Sequence, residues 1–137
     1  MDGPLDLSAT RRCHCLAARR KARAITRLYE EKLRPHGLRA TQFSILAALA
    51  LKGPTPIGEL AEVLGLERTT LTRSATRLED RAWVESAGTE DDARQRLLRL
   101  APAGRRKLEE AFPAWKKAQD RIDRRREHKS PGRGAIT

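Results

Sequence analysis

Only two cysteines, Cys13 and Cys15, occur in the 137 residues. That is too few for a disulfide scaffold and fits a reducing cytoplasm. Three histidines, His14, His36 and His128, stand in unrelated contexts. Adjacent i and i+2 side chains of Cys13-His14-Cys15 diverge on a helix, and no third cysteine completes a set, so no metal site is read. There is no G-x-S-x-G, no phosphate loop and no plausible triad, so the chain is not expected to be an enzyme and no cofactor is expected. Aromatic residues make up 4% of the chain, and the dominance of Ala, Leu and Arg favours helix over sheet. The longest stretch without a charge is Ala40–Leu51, twelve residues; a spanning helix needs about 20 apolar residues, so no transmembrane segment is expected. Met1–Thr10 carries two Asp and no apolar run, so no secretory signal is expected either.

What is abundant is positive charge. The chain has 29 Lys+Arg against 18 Asp+Glu, a net +11, with a pI near 10.8. At 39% hydrophobic residues it can bury one core, and one domain is the default. An excess of this sign says nothing about fold, but it points to an anionic partner, either nucleic acid or an anionic membrane surface.

Five helical segments are legible. Cys13–Leu33 carries an apolar stripe of Cys15, Ala18, Ala22, Ile25, Tyr29 and Leu33 at steps of three and four, stopped by Pro35-His36-Gly37. Thr41–Leu51 buries Phe43, Leu46, Ala47 and Ala50. Pro56–Leu64 follows, with Thr55 as its cap, Pro56 at its first position and Gly65 as a left-handed C-cap. Arg68–Arg81 turns Leu71, Ala75 and Leu78 to the core. Its opposite side carries Thr69, Arg73, Thr76 and Arg77. Trp83-Val84 and Leu97–Leu100 read as two short strands around a polar hairpin tip, Ser86–Arg96. The fifth helix spans Gly104–Arg121, where Pro113 implies a kink or a break. From Arg121 to Thr137 there are six basic and two acidic residues, a net +4, with a turn-forming stretch Ser130-Pro131-Gly132-Arg133-Gly134, and disorder is expected.

Two short helices joined by Gly65-Leu66-Glu67 and followed at once by a hairpin make a winged helix-turn-helix. The major groove admits one helix, and Arg68, Thr69, Thr72 and Arg73 stand near the N-terminal end of the second helix, in reach of base edges or phosphates. Arginine on the wing suits the negative potential of a narrow minor groove. A solvated helix face and a surface ion pair on the hairpin are the plainer alternatives for these residues, and Arg96 suits a phosphate contact or plain solvation.

The stretches Leu28–Gln42 (LYEEKLRPHGLRATQ), Ile57–Thr72 (IGELAEVLGLERTTLT) and Asp92–Gly104 (DARQRLLRLAPAG), in this order and spacing, resemble the MarR family of winged-helix transcriptional regulators, over roughly Cys13–Ile122. The resemblance implies a mainly α fold with a small β-hairpin wing, flanked by dimerisation helices at 13–34 and 104–122 around a DNA-binding core at 41–100. Residues 1–12 are then a flexible N-terminus and 123–137 a basic, disordered tail. It implies a cytoplasmic homodimer on a pseudo-palindrome of double-stranded DNA, a repressor modulated by a small phenolic or aromatic effector, with no membrane partner. The recognition helix then holds Arg68, Thr69, Thr70, Thr72, Arg73 and Arg77. The wing holds Asp92, Arg94 and Arg96, with Asp92 fixing the Arg94 guanidinium for the minor groove.

The resemblance also departs in three places. Where the family commonly has Gly-Leu at the start of the wing, this chain has Ala82-Trp83. Where the family adds a further long helix, no amphipathic stripe follows Asp123. In the peroxide-sensing branch a reactive Cys precedes a Tyr by fourteen residues, as Cys15 precedes Tyr29, and basic neighbours lower a thiol's pKa. That branch, however, has tyrosines where this chain has Arg19 and Phe43. Cys15 is therefore the redox candidate, and a small half-buried cysteine is the plainer reading. A peroxide-sensing regulator of the same family is one alternative function. A winged-helix module for RNA or protein is another, and so is an anionic-membrane binder that lays Arg19, Arg20, Lys21, Arg23 and Arg27 on lipid.

Overall fold

The computed structural model describes residues 3–89 and 92–129; the side chains of 89, 92–95 and 127–129 lie outside the description. The chain runs α1 (His14–Leu33), α2 (Ala40–Lys52), β1 (Thr55–Pro56), α3 (Ile57–Leu64), α4 (Arg68–Asp80), β2 (Val84–Thr89), β3 (Asp92–Leu100) and α5 (Pro102–Lys129). Short 3-10 turns at Ser8–Arg12 and Arg34–His36 flank α1.

A single apolar core joins the helices to the sheet. Leu33 of α1, Ile45, Leu46 and Leu49 of α2, Leu60 of α3, Leu71 and Leu78 of α4, Val84 of β2 and Leu98 of β3 are fully or almost fully buried. The faces expected for α3 and α4 are the ones that turn inward, because apolar residues three and four apart share one side of a helix; on α2, Phe43 and Leu46 are buried as expected, but Ala47 and Ala50 are half-buried and Ile45, Ala48 and Leu49 complete the buried face instead. On α1 the outcome is split. Leu33 is buried and Ile25 and Tyr29 are half-buried, but Cys15, Ala18 and Ala22 are exposed. The N-terminal half of that stripe is not buried by any of the described residues.

The sheet has three antiparallel strands in the order β1-β3-β2. β1 was not anticipated. Thr55 does not cap α3, nor does Pro56 open it. Thr55 pairs with Leu98 and Pro56 with Leu97, and the buried Thr55 hydroxyl donates to the Gly53 carbonyl at 2.8 Å. The wing strands are longer than the apolar residues alone suggested. Pairing runs from Val84↔Leu100 to Thr89↔Asp92, since cross-strand hydrogen bonds continue through polar residues whose side chains face water.

α5 differs most from expectation. It begins at Pro102, is not broken at Pro113, and continues through Lys129. The disorder expected from Asp123 onward is replaced by helix as far as Lys129, and residues 130–137 lie outside the description. Pro113 is exposed, as is Glu109 one turn before it, so the Glu109 carbonyl left without an N–H partner faces solvent. Near its start α5 seats on the wing. A Cβ on Gly104 would lie 2.8 Å from the carbonyl carbon of Trp83 and 3.0 Å from Leu100 Cδ1, so only glycine fits this approach.

Candidate nucleic-acid interface

α3 and α4 are joined by a turn in which Gly65 takes φ +64. Its N–H donates to the Glu62 carbonyl at 3.2 Å, and that of Leu66 to the Ala61 carbonyl at 2.9 Å, the paired closure of a Schellman motif. α4 then presents two faces. Leu71, Ala75 and Leu78 are 0%, 3% and 0% exposed. Arg68, Thr69, Thr70, Thr72, Arg73, Thr76 and Arg77 are all exposed. The hydroxyls of Thr72 and Thr76 donate back to the carbonyls of Arg68 (2.8 Å) and Thr72 (3.0 Å). Their oxygens keep acceptor capacity, which suits hydrogen-bond donors in a major groove. The N-cap residue Glu67 makes no side-chain cap, so the first-turn amides of α4 are not covered by it.

The C-terminal end of α4 closes by the same device as α3, with a different residue. The Ala82 N–H donates to the Glu79 carbonyl and the Trp83 N–H to that of Leu78, at 2.9 and 3.0 Å. Ala82 has φ +61, the one non-glycine positive φ among the described residues. Arg81 anchors this end. Its Nη1 donates to the Gly37 carbonyl at 2.7 Å, and its guanidinium lies 4.9 Å from the Trp83 ring centroid. Lys107 approaches the same ring at 5.4 Å. Sequence reading missed Arg81, because its partners are remote in sequence or, as with Trp83, depend on the turn.

On the wing, Arg96 is exposed on β3. Arg99 Nε reaches Glu85 Oε2 at 2.7 Å across the ladder; both are solvent-accessible, so this pair fixes register more than it adds stability. Asp92 and Arg94 lie in the backbone of β3, but their side chains, and with them the expected Asp92–Arg94 contact, lie outside the described residues.

Cys13 and Cys15 are exposed at the start of α1, and Arg19 Nη2 lies 3.6 Å from Cys15 Sγ. Tyr29 is not a partner of Cys15 within the chain. Fourteen residues of helix separate them by roughly 21 Å, and the Tyr29 hydroxyl donates to Gln119 Oε1 of α5. Burial, and secondarily the Asp123 carboxylate, raise the Tyr29 phenol above its ordinary value near 10. Tyr29, Phe43 and Phe112 pack around Trp115 at centroid distances of 6.2, 5.8 and 5.6 Å. Beside them a cleft of ≈ 380 Å³ is lined by Ile25, Tyr29, Leu33, Leu64, Leu66 and Trp115 among others. Among the described residues no cluster of His, Cys, Asp and Glu could hold a metal, and no helix is long and apolar enough to cross a membrane.

Residues 36–95, the helix-turn-helix and most of the wing, match the model of the MarR family. The crystal structure of the M. tuberculosis transcriptional regulator MosR in complex with DNA is 35% identical, with a TM-score of 0.73, over 90% of this chain and 96% of that one. The chain belongs to the MarR family of transcriptional regulators. MarR-family regulators form a non-enzymatic family that needs no cofactor. The uncharacterised regulator YwoH of Bacillus subtilis is 37% identical over 89 residues, 65% of this chain and 64% of YwoH, so the chain spans less than two thirds of that curated relative. Reduced AbfR, of Staphylococcus epidermidis, bound to DNA is similar at 27% identity and a TM-score of 0.70, over 82% of this chain and 80% of that one. The MarR fold accounts for the three-stranded sheet and for the helices on either side of the helix-turn-helix.

Proposed function

We propose that this MarR-family chain is a sequence-specific DNA-binding repressor that acts as a cytoplasmic dimer on a pseudo-palindromic operator. The observation that carries the reading is α4: one face fully buried, the other a continuous exposed surface of Arg and Thr. Arg68, Thr69, Thr70, Thr72, Arg73 and Arg77 serve the major groove or its phosphates, and Asp92, Arg94 and Arg96 serve the wing. Support for a dimer comes from the uncovered stripe of α1 and from Phe112, 46% exposed on α5; a second copy laid along α1 and α5 would cover both. The cleft beside Trp115 suits a small phenolic or aromatic effector between the helical layer and the DNA-binding head.

The test is fluorescence anisotropy with duplex from the protein's own promoter, run together with sedimentation to fix the oligomeric state. A preference of about 10³ or more over random duplex at physiological salt is expected. Equal binding to random duplex overturns the reading, and retention on anionic vesicles against competing duplex, or preference for RNA, would favour the interaction-module alternative.

A second reading is oxidant sensing through Cys15. It is favoured by the exposure of the thiol and by the Arg19 guanidinium 3.6 Å from its sulfur. Peroxide-induced release from DNA that disappears in Cys15→Ser would establish it, and a response unchanged in that variant would remove it.

A further inference from the structure

A second, larger cleft, of ≈ 790 Å³, opens between α1 and the C-terminal half of α4. Its chemistry is unlike that of the cleft beside Trp115. α1 contributes Arg23, Arg27 and Glu30, spaced by four and three residues and so on one face, and Arg34 follows from the 3-10 turn after it. α4 contributes Arg77, Asp80 and Arg81, and the turn Gly37–Arg39 closes one end. Six guanidiniums and two carboxylates give the walls a net +4.

Few of these charges are satisfied internally. Glu30 is approached by Arg39 at 3.6 Å, and Arg81 is held by the Gly37 carbonyl. Arg23, Arg27, Arg34 and Arg77 have no carboxylate within 4.0 Å among the described residues. Guanidiniums that converge on one space without counter-charges repel one another. Their planar forks match phosphate oxygens two at a time. The volume falls in the range of small-ligand sites, about 300–1,000 Å³, and a recess between two helices receives a compact ligand better than the convex backbone of a duplex.

The geometry points to a binding site for a small, multiply charged oxyanion of the oligophosphate class. Only its consequence rests on the DNA-binding reading above. Arg77 belongs to the recognition helix, so an occupant neutralises charge beside the DNA and lowers DNA affinity.

Tripolyphosphate is the probe, titrated calorimetrically into the DNA-free protein at fixed ionic strength, with orthophosphate as comparison. Saturable binding of one tripolyphosphate per chain is expected, at least tenfold tighter than orthophosphate. It should weaken tenfold or more in Arg23→Gln/Arg27→Gln, whose two positions are exposed on α1, with helix content unchanged by circular dichroism. Absence of saturable binding, or equal affinity in wild type and variant, overturns the site. The other source of phosphate is the DNA backbone. If the arginines serve that instead, the free protein ignores tripolyphosphate and the double variant lowers the slope of log K against log salt by about 2 per chain, which also overturns the proposal. Tripolyphosphate that binds the free protein but leaves operator affinity unchanged would overturn the coupling alone. If no DNA is bound at all, the DNA-free titration still decides the site.

Discussion

Arg81, the residue that follows α4, holds the carbonyl of Gly37, 44 residues earlier, at 2.7 Å. This bond ties the end of α4 to the turn that follows α1. Because Arg81 is solvent-accessible, the charge-assisted bond and the Trp83 contact together are expected to contribute about 1 kcal/mol. Arg81→Ala should lower urea-denaturation stability by that amount and weaken DNA binding further than its charge alone explains. Arg81→Lys should recover the charge but not the fork geometry. Stability equal to wild type in Arg81→Ala would show that the bond positions nothing.

Ala82 occupies a left-handed position with φ +61. An L-residue pays about 1–2 kcal/mol there, part of which Gly returns as unfolded-state entropy. Ala82→Gly should therefore stabilise the chain by about 0.5 kcal/mol, seen as a small rise in Tm with the denaturant slope unchanged. A lowered Tm contradicts the strain.

Gly104→Ala should act in the opposite sense. The new methyl meets backbone atoms of Trp83, which cannot rotate away. Overpacking of this kind costs about 3 kcal/mol. Chemical denaturation, followed by circular dichroism, measures it; a loss below the error of the extrapolation would mean that α5 can shift off the wing.

Arg94→Ala is expected to weaken operator binding by about 1–3 kcal/mol while leaving far-ultraviolet circular dichroism intact. Arg73→Ala should weaken binding by a similar amount and relax preference at one base position if its contact is to a base edge. Competition with operator variants separates the two, and unchanged affinity in Arg94→Ala removes the wing from the interface.

Tyr29 is the only tyrosine in the chain, so phenolate absorbance reports it alone. Burial first, and the Asp123 carboxylate second, raise its pKa in the fold. The neutral phenol is therefore favoured by folding. Its contribution is fully present below about pH 10 and is lost as pH rises through the raised folded value. The folded protein should titrate above the same tyrosine in urea, and Asp123→Asn should narrow the gap without closing it. A folded midpoint at or below the unfolded one would remove the link between α1 and α5.

The helix-turn-helix was legible because its signals are local: a period of three to four at Leu71, Ala75 and Leu78, and a glycine where the turn needs positive φ. The exposed Arg and Thr of α4 followed from the same periodicity. What escaped was non-local. β1 is two residues long and exists only because Leu97 and Leu98 lie beside it. The full length of α5 escaped because its last turns lack an apolar stripe, and helical propensity extends a helix without one. The arginine-walled cleft escaped for a related reason. Arg23 and Arg77 are unremarkable in their own helices and acquire meaning only when α1 and α4 face each other.

α5 is 28 residues long, roughly 42 Å of helix, and it is seated at one end on a glycine with no side chain to compress. That makes it a lever with its fulcrum at the base of the wing. A rotation of about 3° at Gly104 would carry the far end roughly 2 Å sideways over that length. Whatever fills a cleft along this arm therefore need only tilt it slightly for the displacement to be large at the other end.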